Sequence, residues 1–294
     1  EDTYPVIFEK TWSDPSRTTT PMERLAQAFA LSREERFARK AREILLHLSD
    51  YSFEFEHYDV GMNYSVWGYR ALVAYDFLFD RLSKEERERL DGFFTRLGRA
   101  VLRNDQFWIE NNIGGGINNH LAWHKMMIGL LGVFYGEETL VAYALDGPRG
   151  IGELLELGLV DNGLWCESSL NYHFTAIVPM TLLADVLERT GQGENLYAKT
   201  FADGRTLKQP FDAIFGVLFP DCTIPPIGDA YAHWMNLADQ SLYEYALSAY
   251  GSPRYAWLLS RAERRKPAAL FTAASLESKE TPAIGCALYP EHGY

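Results

Sequence analysis

Twice within the first hundred residues an amphipathic helical stretch runs into Ser-x-x-Glu and a second helical stretch follows. Leu25, Ala28 and Phe29 form one apolar stripe ahead of Ser32-Arg33-Glu34-Glu35, and Phe37, Ala41, Ile44, Leu45 and Leu48 form the next. Trp67, Ala71, Ala74, Tyr75 and Leu78 precede Ser83-Lys84-Glu85-Glu86, and Leu90, Phe93, Phe94 and Leu97 follow it. In this signature the serine hydroxyl accepts from an N–H of the first turn while the glutamate reaches back to the serine N–H. Apolar residues three and four apart face a neighbouring helix. Two successive units of this kind predict an array of helical hairpins and an all-α fold.

The pattern breaks at Gly114-Gly115-Gly116, where the backbone is open to conformations closed to other residues. Helices are predicted over about 118–134, 138–145 and 150–159, then over about 170–190 after a turn at Asp161-Asn162-Gly163. Pro179 predicts a kink or an early break in the last of these. Helical pattern continues over 192–216, a proline-rich loop spans 219–229, and weaker helices are predicted near 236–249 and 253–264. From Pro267 the character changes, and residues 283–294 alternate and are turn-rich, as at the opening of a strand. Residues 1–265 are therefore expected to form a helical catalytic domain, and residues 266–294 a linker and the stub of a β-rich domain.

A chain of 294 residues that is 47% hydrophobic can bury a large core. Its net charge of -12 argues against a nucleic-acid or anionic-membrane partner, which would need a basic face. An anionic substrate would need a local cationic cluster, for which Arg70, Lys125, Arg149, Arg205 and Lys208 are the candidates. Cys166, Cys222 and Cys286 are too few and too widely spaced to suggest a disulfide framework or a zinc knuckle. No apolar run of about 18 residues is evident, so no transmembrane helix is expected. The chain starts without an initiator Met and without a leader pattern, as a mature or trimmed product would. A periplasmic or secreted location is the expectation.

Two polar clusters stand out from this scaffold: Asn118-Asn119-His120-Leu121-Ala122-Trp123-His124, and Trp165-Cys166-Glu167-Ser168-Ser169-Leu170-Asn171-Tyr172-His173. If one asparagine caps the second helical stretch's successor, its neighbour is free to face a cleft, and His120 falls in a first turn whose dipole disfavours protonation. The alternative is a capping Asn beside a satisfied His. His120 and His124 are spaced like a metal pair, yet no third ligand is evident, and a packed His124 is the plainer reading. Tyr172 opens a later helix. A phenol acts as acid or base only where a cation or strong donor lowers its pKa from about 10. One chemistry that suits the set is β-elimination at a uronic acid, in which an amide neutralises the carboxylate, a base removes the C5 proton and an acid protonates the leaving oxygen. It uses no cofactor.

Asn-Asn-His followed 52 positions after His120 by a tyrosine in Gly-x-Trp-x-Glu-x-Ser-x-x-Tyr-His resembles the heparinase II/III-like superfamily of polysaccharide lyases, which includes oligo-alginate lyases. The stretch from Trp67 to Arg87, Pro225-Pro226-Ile227-Gly228-Asp229 and the terminal Leu288-Tyr289-Pro290-Glu291-His292-Gly293-Tyr294 are similar to that family's helices and domain junction. The resemblance implies an incomplete (α/α) toroid of helical hairpins followed by an antiparallel β-sandwich. In it Asn119 neutralises the carboxylate, Tyr172 is the acid and in syn elimination also the base, and His120 is the base or charge stabiliser. Members usually add a His from the β domain, and some hold a structural zinc there. The chain stops before that region, so little turnover is expected of residues 1–294 alone. Asn118, Trp123, His124, Trp165, Tyr64 and Arg70 are further candidates for contact with an anionic poly- or oligosaccharide. Glu167 is another, either orienting His120 or Tyr172 or capping the Tyr172 helix.

Two other functions stay open. A toroid glycoside hydrolase acting on unsaturated uronides would need paired carboxylates, such as Asp161 with Glu167 or Asp229. A non-catalytic carbohydrate-binding module would keep the aromatics and have no need of the Asn-His and Tyr clusters.

Overall fold

In a computed structural model, residues 16–53, 59–160, 163–230 and 235–272 are described. They are mostly helical and divide after Asn111 into two compact units. The expected strand at 283–294 lies outside the described residues, as does most of the Asp161-Asn162-Gly163 turn.

The first unit holds α1 (Ser16–Ser32), α2 (Glu35–Leu48), α3 (Val60–Leu78) and α4 (Lys84–Glu110). Within it α3 packs on both α1 and α4. Its core is aromatic. Tyr75 of α3 stacks on Phe94 of α4 with centroids 5.5 Å apart, and Trp67 stacks on Phe53 at 5.6 Å. Burying each such side chain contributes about 1.5–3 kcal/mol. α4 starts as predicted: Ser83 Oγ accepts from Glu86 N–H at 3.3 Å and Glu86 returns a carboxylate to Ser83 N–H at 2.9 Å. The Ser32 signature does not make a cap. Ser32 is the last residue of α1, where its hydroxyl donates to the Ala28 carbonyl, and Glu34 precedes α2 without a side-chain cap. Arg33, at φ 61°, makes the turn between them.

The second unit holds α5 (Asn119–Tyr135), α6 (Glu138–Asp146), α7 (Ile151–Gly158) and α8 (Leu170–Thr190), followed by α9 (Gln209–Ala213). A two-stranded antiparallel ribbon pairs β1 (Thr223–Ile224) with β2 (Met235–Asn236), and α10 (Leu242–Tyr250) and α11 (Pro253–Leu259) close the described chain. α5 is apolar nearly all round and runs through the core, as such a helix must. It lies tight against α8 and α6 because Gly129 has no side chain. A Cβ there would sit 2.9 Å from Leu183 of α8 and 3.1 Å from Ala144 of α6.

Three expectations fail here. α8 runs through Pro179 without a break, its apolar face packed on α5, and that burial outweighs a proline penalty of about 3 kcal/mol. Residues 192–208 are turns rather than helix, because Gly191, Gly193 and Gly204 take left-handed φ values and Asn195 Oδ1 accepts from the Tyr197 and Ala198 N–H groups. α8 is also long and apolar enough to cross a membrane by length and composition, although most of it is buried inside the protein as in a core helix.

Candidate active site

The polar clusters come together at the starts of α5 and α8, both within the second unit. The approach to α5 is a tight turn in which Asn112, Gly114, Gly115 and Gly116 all have φ between 47° and 75°. A Cβ on Gly116 would lie 2.8 Å from Asn112 Oδ1, so the glycine run is required by space as well as by φ. Asn118 then caps α5, accepting from Leu121 N–H at 3.1 Å while its own amide donates to the Ile113 carbonyl at 3.1 Å.

Asn119 is not left free. Its main-chain N–H donates to Glu167 Oε2 at 2.7 Å, and its amide nitrogen lies 3.0 Å from both Glu167 oxygens. A carboxylate over a helix start satisfies an otherwise unbonded donor and complements the positive end of the dipole. Glu167 also accepts from Trp165 Nε1 at 2.6 Å. Glu167 thus serves α5 and Asn119, a target that neither sequence alternative named.

The backbone around Glu167 is set by the Leu159–Trp165 bridge, in which Val160 N–H donates to the Leu164 carbonyl, and by Ser168 at φ 53°. His173 locks this hairpin to α8. Its Nδ1 accepts from Trp165 N–H at 3.1 Å, so Nε2 carries the proton donated to the Pro210 carbonyl 3.2 Å away. Burial lowers its pKa to about 4, against which the Pro210 bond works only weakly. Sequence reasoning assigned His173 no role; its neighbour Tyr172 drew the attention.

Tyr172, one residue earlier on α8, points its hydroxyl at Asp229 Oδ2, 2.7 Å away. The expected activating cation is replaced by a carboxylate. His120 is half-buried in the first turn of α5. Trp123 is half-buried, and its indole N–H makes no hydrogen bond among the described residues.

Other candidates fall elsewhere. His124 is fully buried, and burial followed by the charges of His120 and Lys125 holds its pKa well below 6.5, so its place is in the core rather than at a substrate. Trp165 is likewise fully buried. In the first unit Tyr64 packs edge-on to Trp67 and Phe53, and Arg70 lies 3.8 Å from Glu23, so neither stands open as a subsite wall. The cations proposed to attract an anion are engaged. Lys125 is buried over the Tyr143 ring, Arg149 and Lys208 pair with Glu153 and Asp212, and Arg205 donates to the Val160 carbonyl. Among the described residues no group of three or more His, Cys, Asp or Glu side chains could hold a metal ion.

Comparison with known proteins gives a consistent picture. The model of a family described as alginate lyase matches residues 59–216. An alginate lyase of Stenotrophomonas maltophilia (strain K279a) is 26% identical over 153 residues, which is 50% of this chain and only 19% of that protein's length. Two solved structures of alginate lyase A1-III, each complexed with tetrasaccharide, resemble this one. A histidine-to-alanine variant has a TM-score of 0.59 at 17% identity, covering 80% of this chain and 70% of its own. A tyrosine-to-phenylalanine variant has a TM-score of 0.57 at 17% identity, covering 80% and 69%. At such identity the likeness shows the fold alone, the helical toroid class expected from the hairpin pattern.

Proposed function

The chain belongs to the alginate lyase family, and from that premise we propose that it is a polysaccharide lyase that cleaves a uronic-acid polymer by β-elimination. The observation that carries this reading is the knot at the two helix starts. Glu167 ties the segment leading to α8 to Asn119, and the next turn along presents Tyr172. In the proposed reaction the second hydrogen of the Asn119 amide meets the substrate carboxylate and withdraws charge from the anion that forms at C5. The C5 proton passes to His120 or, in syn elimination, to Tyr172. Tyr172 protonates the leaving glycosidic oxygen. Trp123 offers an indole face and a donor for a sugar ring.

Alginate is the polymer we place first, ahead of the glycosaminoglycans that a heparinase-type resemblance also admits. A periplasmic or secreted location goes with a polymeric substrate. The hydrolase alternative gains no support. Both Glu167 oxygens are occupied by donors from Asn119 and Trp165, and Asp229 holds the Tyr172 phenol, which leaves neither carboxylate unengaged for acid–base work at a glycosidic bond.

A panel of alginate, hyaluronan and heparan sulfate, followed by ultraviolet absorbance, tests the reading. Elimination creates a conjugated double bond and absorbance rises. Hydrolysis of unsaturated ends makes it fall, and a binding module leaves it flat; either of those results would remove the proposal.

A further inference from the structure

Asp229 is held in place by features that do not involve its carboxylate. The fully buried Ser169 donates its hydroxyl to the Asp229 main-chain oxygen at 2.9 Å. Gly228, at φ +70°, lies so close to α8's approach that a Cβ would come within 2.0 Å of the Ser168 oxygen. The loop before β2 is thus seated on the start of α8 by its backbone, and the side chain of residue 229 is delivered to Tyr172. The bond formed there has a direction. An ionised carboxylate only accepts, so the contact at 2.7 Å exists while the phenol keeps its hydrogen. A phenolate in the same place would set two anionic oxygens against each other at hydrogen-bond distance.

We infer that Asp229 is a positioning residue that presents Tyr172 to the substrate in its protonated form, so that Tyr172 begins the elimination as the acid and a different group takes the C5 proton. This rests on the lyase reading above and narrows it. The C5–H pair becomes the new C4=C5 double bond as the C4–O bond breaks. The C5 proton goes to His120, and the Tyr172 hydroxyl proton goes to the departing oxygen. The phenolate left beside Asp229 then recovers the proton held by His120 through solvent, which returns both groups to their starting state.

Four variants separate this from a structural role for the loop: Asp229→Ala, Asp229→Asn, Ser169→Ala and Tyr172→Phe. The first readout is the ring Cζ resonance of Tyr172 in 13C-tyrosine-labelled protein, identified as the signal missing from Tyr172→Phe. The second is the split of kcat against KM on the polymer that is cleaved. Asp229→Ala is expected to shift the Tyr172 resonance and to lower kcat by about 10- to 100-fold, the cost of a misplaced reacting group, with KM nearly constant. Asp229→Asn keeps an acceptor oxygen in place and is expected to regain most of that loss. Ser169→Ala, which loosens the loop but keeps the carboxylate, should cost less than Asp229→Ala. A resonance that stays put, or a kcat that does not fall, overturns the inference. Normal turnover by Tyr172→Phe would instead remove Tyr172 from the reaction, a different failure that the resonance measurement does not share.

Discussion

Two helix starts in this protein solve the same problem by opposite means. α4 opens with a closed local circuit, Ser83 to Glu86 and back, complete within four residues of sequence. α5 opens with Asn118 closing one bond locally, while the N–H of Asn119 is satisfied by Glu167, 48 residues further on. A local cap stabilises its own helix and nothing else. A cap borrowed from the segment ahead of another helix fixes where two helix starts meet, and that is where Asn119, His120 and Tyr172 stand. The difference separates a scaffold helix from one that builds a site.

Substitutions can break or sharpen that contrast. Tyr172→Phe removes only the phenol oxygen, and should lower turnover by at least about 100-fold, the lower range for general acid–base catalysis, with oligosaccharide binding by calorimetry nearly unchanged. His173 comes next. Its pKa falls from 6.5 to about 4 in the folded protein because it is buried. Above pH 6.5 it is neutral whether the chain is folded or not; between 6.5 and about 4 only the unfolded chain takes the proton, so stability declines as pH falls and levels off below. The loss amounts to about 3 kcal/mol over that window. Denaturant titrations of the protein and His173→Gln across it should show a shallower decline in the variant, and parallel curves would remove His173 as the strut. Glu167→Ala strands the Asn119 and Trp165 donors and should cost about 2 kcal/mol of stability together with most of the activity. Ser83→Ala should cost about 1 kcal/mol, seen as a lower Tm, with activity unaffected. Were Glu167→Ala to lose stability and keep full turnover, the distinction between the two helix starts would fail.

The sequence made the local circuits legible. The Ser83 box, the limits of α5, α6 and α7, and the left-handed glycine run before Asn118 follow from side-chain chemistry that acts over four or five residues. Where a signal had two possible uses, the wrong one was available. Ser32 closes α1 instead of opening α2, and Asn195 with three left-handed glycines turns 192–208 away from helix despite its apolar spacing. Pro179 was misleading because the core contact of α8 with α5 exceeds its local penalty. At the site, residue types were readable but partners were not. That Glu167 would reach Asn119, and that Asp229 would meet Tyr172 across 57 residues, is decided by packing. His124 shows the converse: its spacing from His120 suggested function, and burial assigns it to the core.

The account depends on a carbon–oxygen bond being broken without water. Mass spectrometry of the products from a defined alginate oligosaccharide tests this directly. Elimination predicts two fragments whose masses sum to that of the parent, with the new double bond on the non-reducing end of one. Fragments that together carry one additional water would show hydrolysis and contradict it.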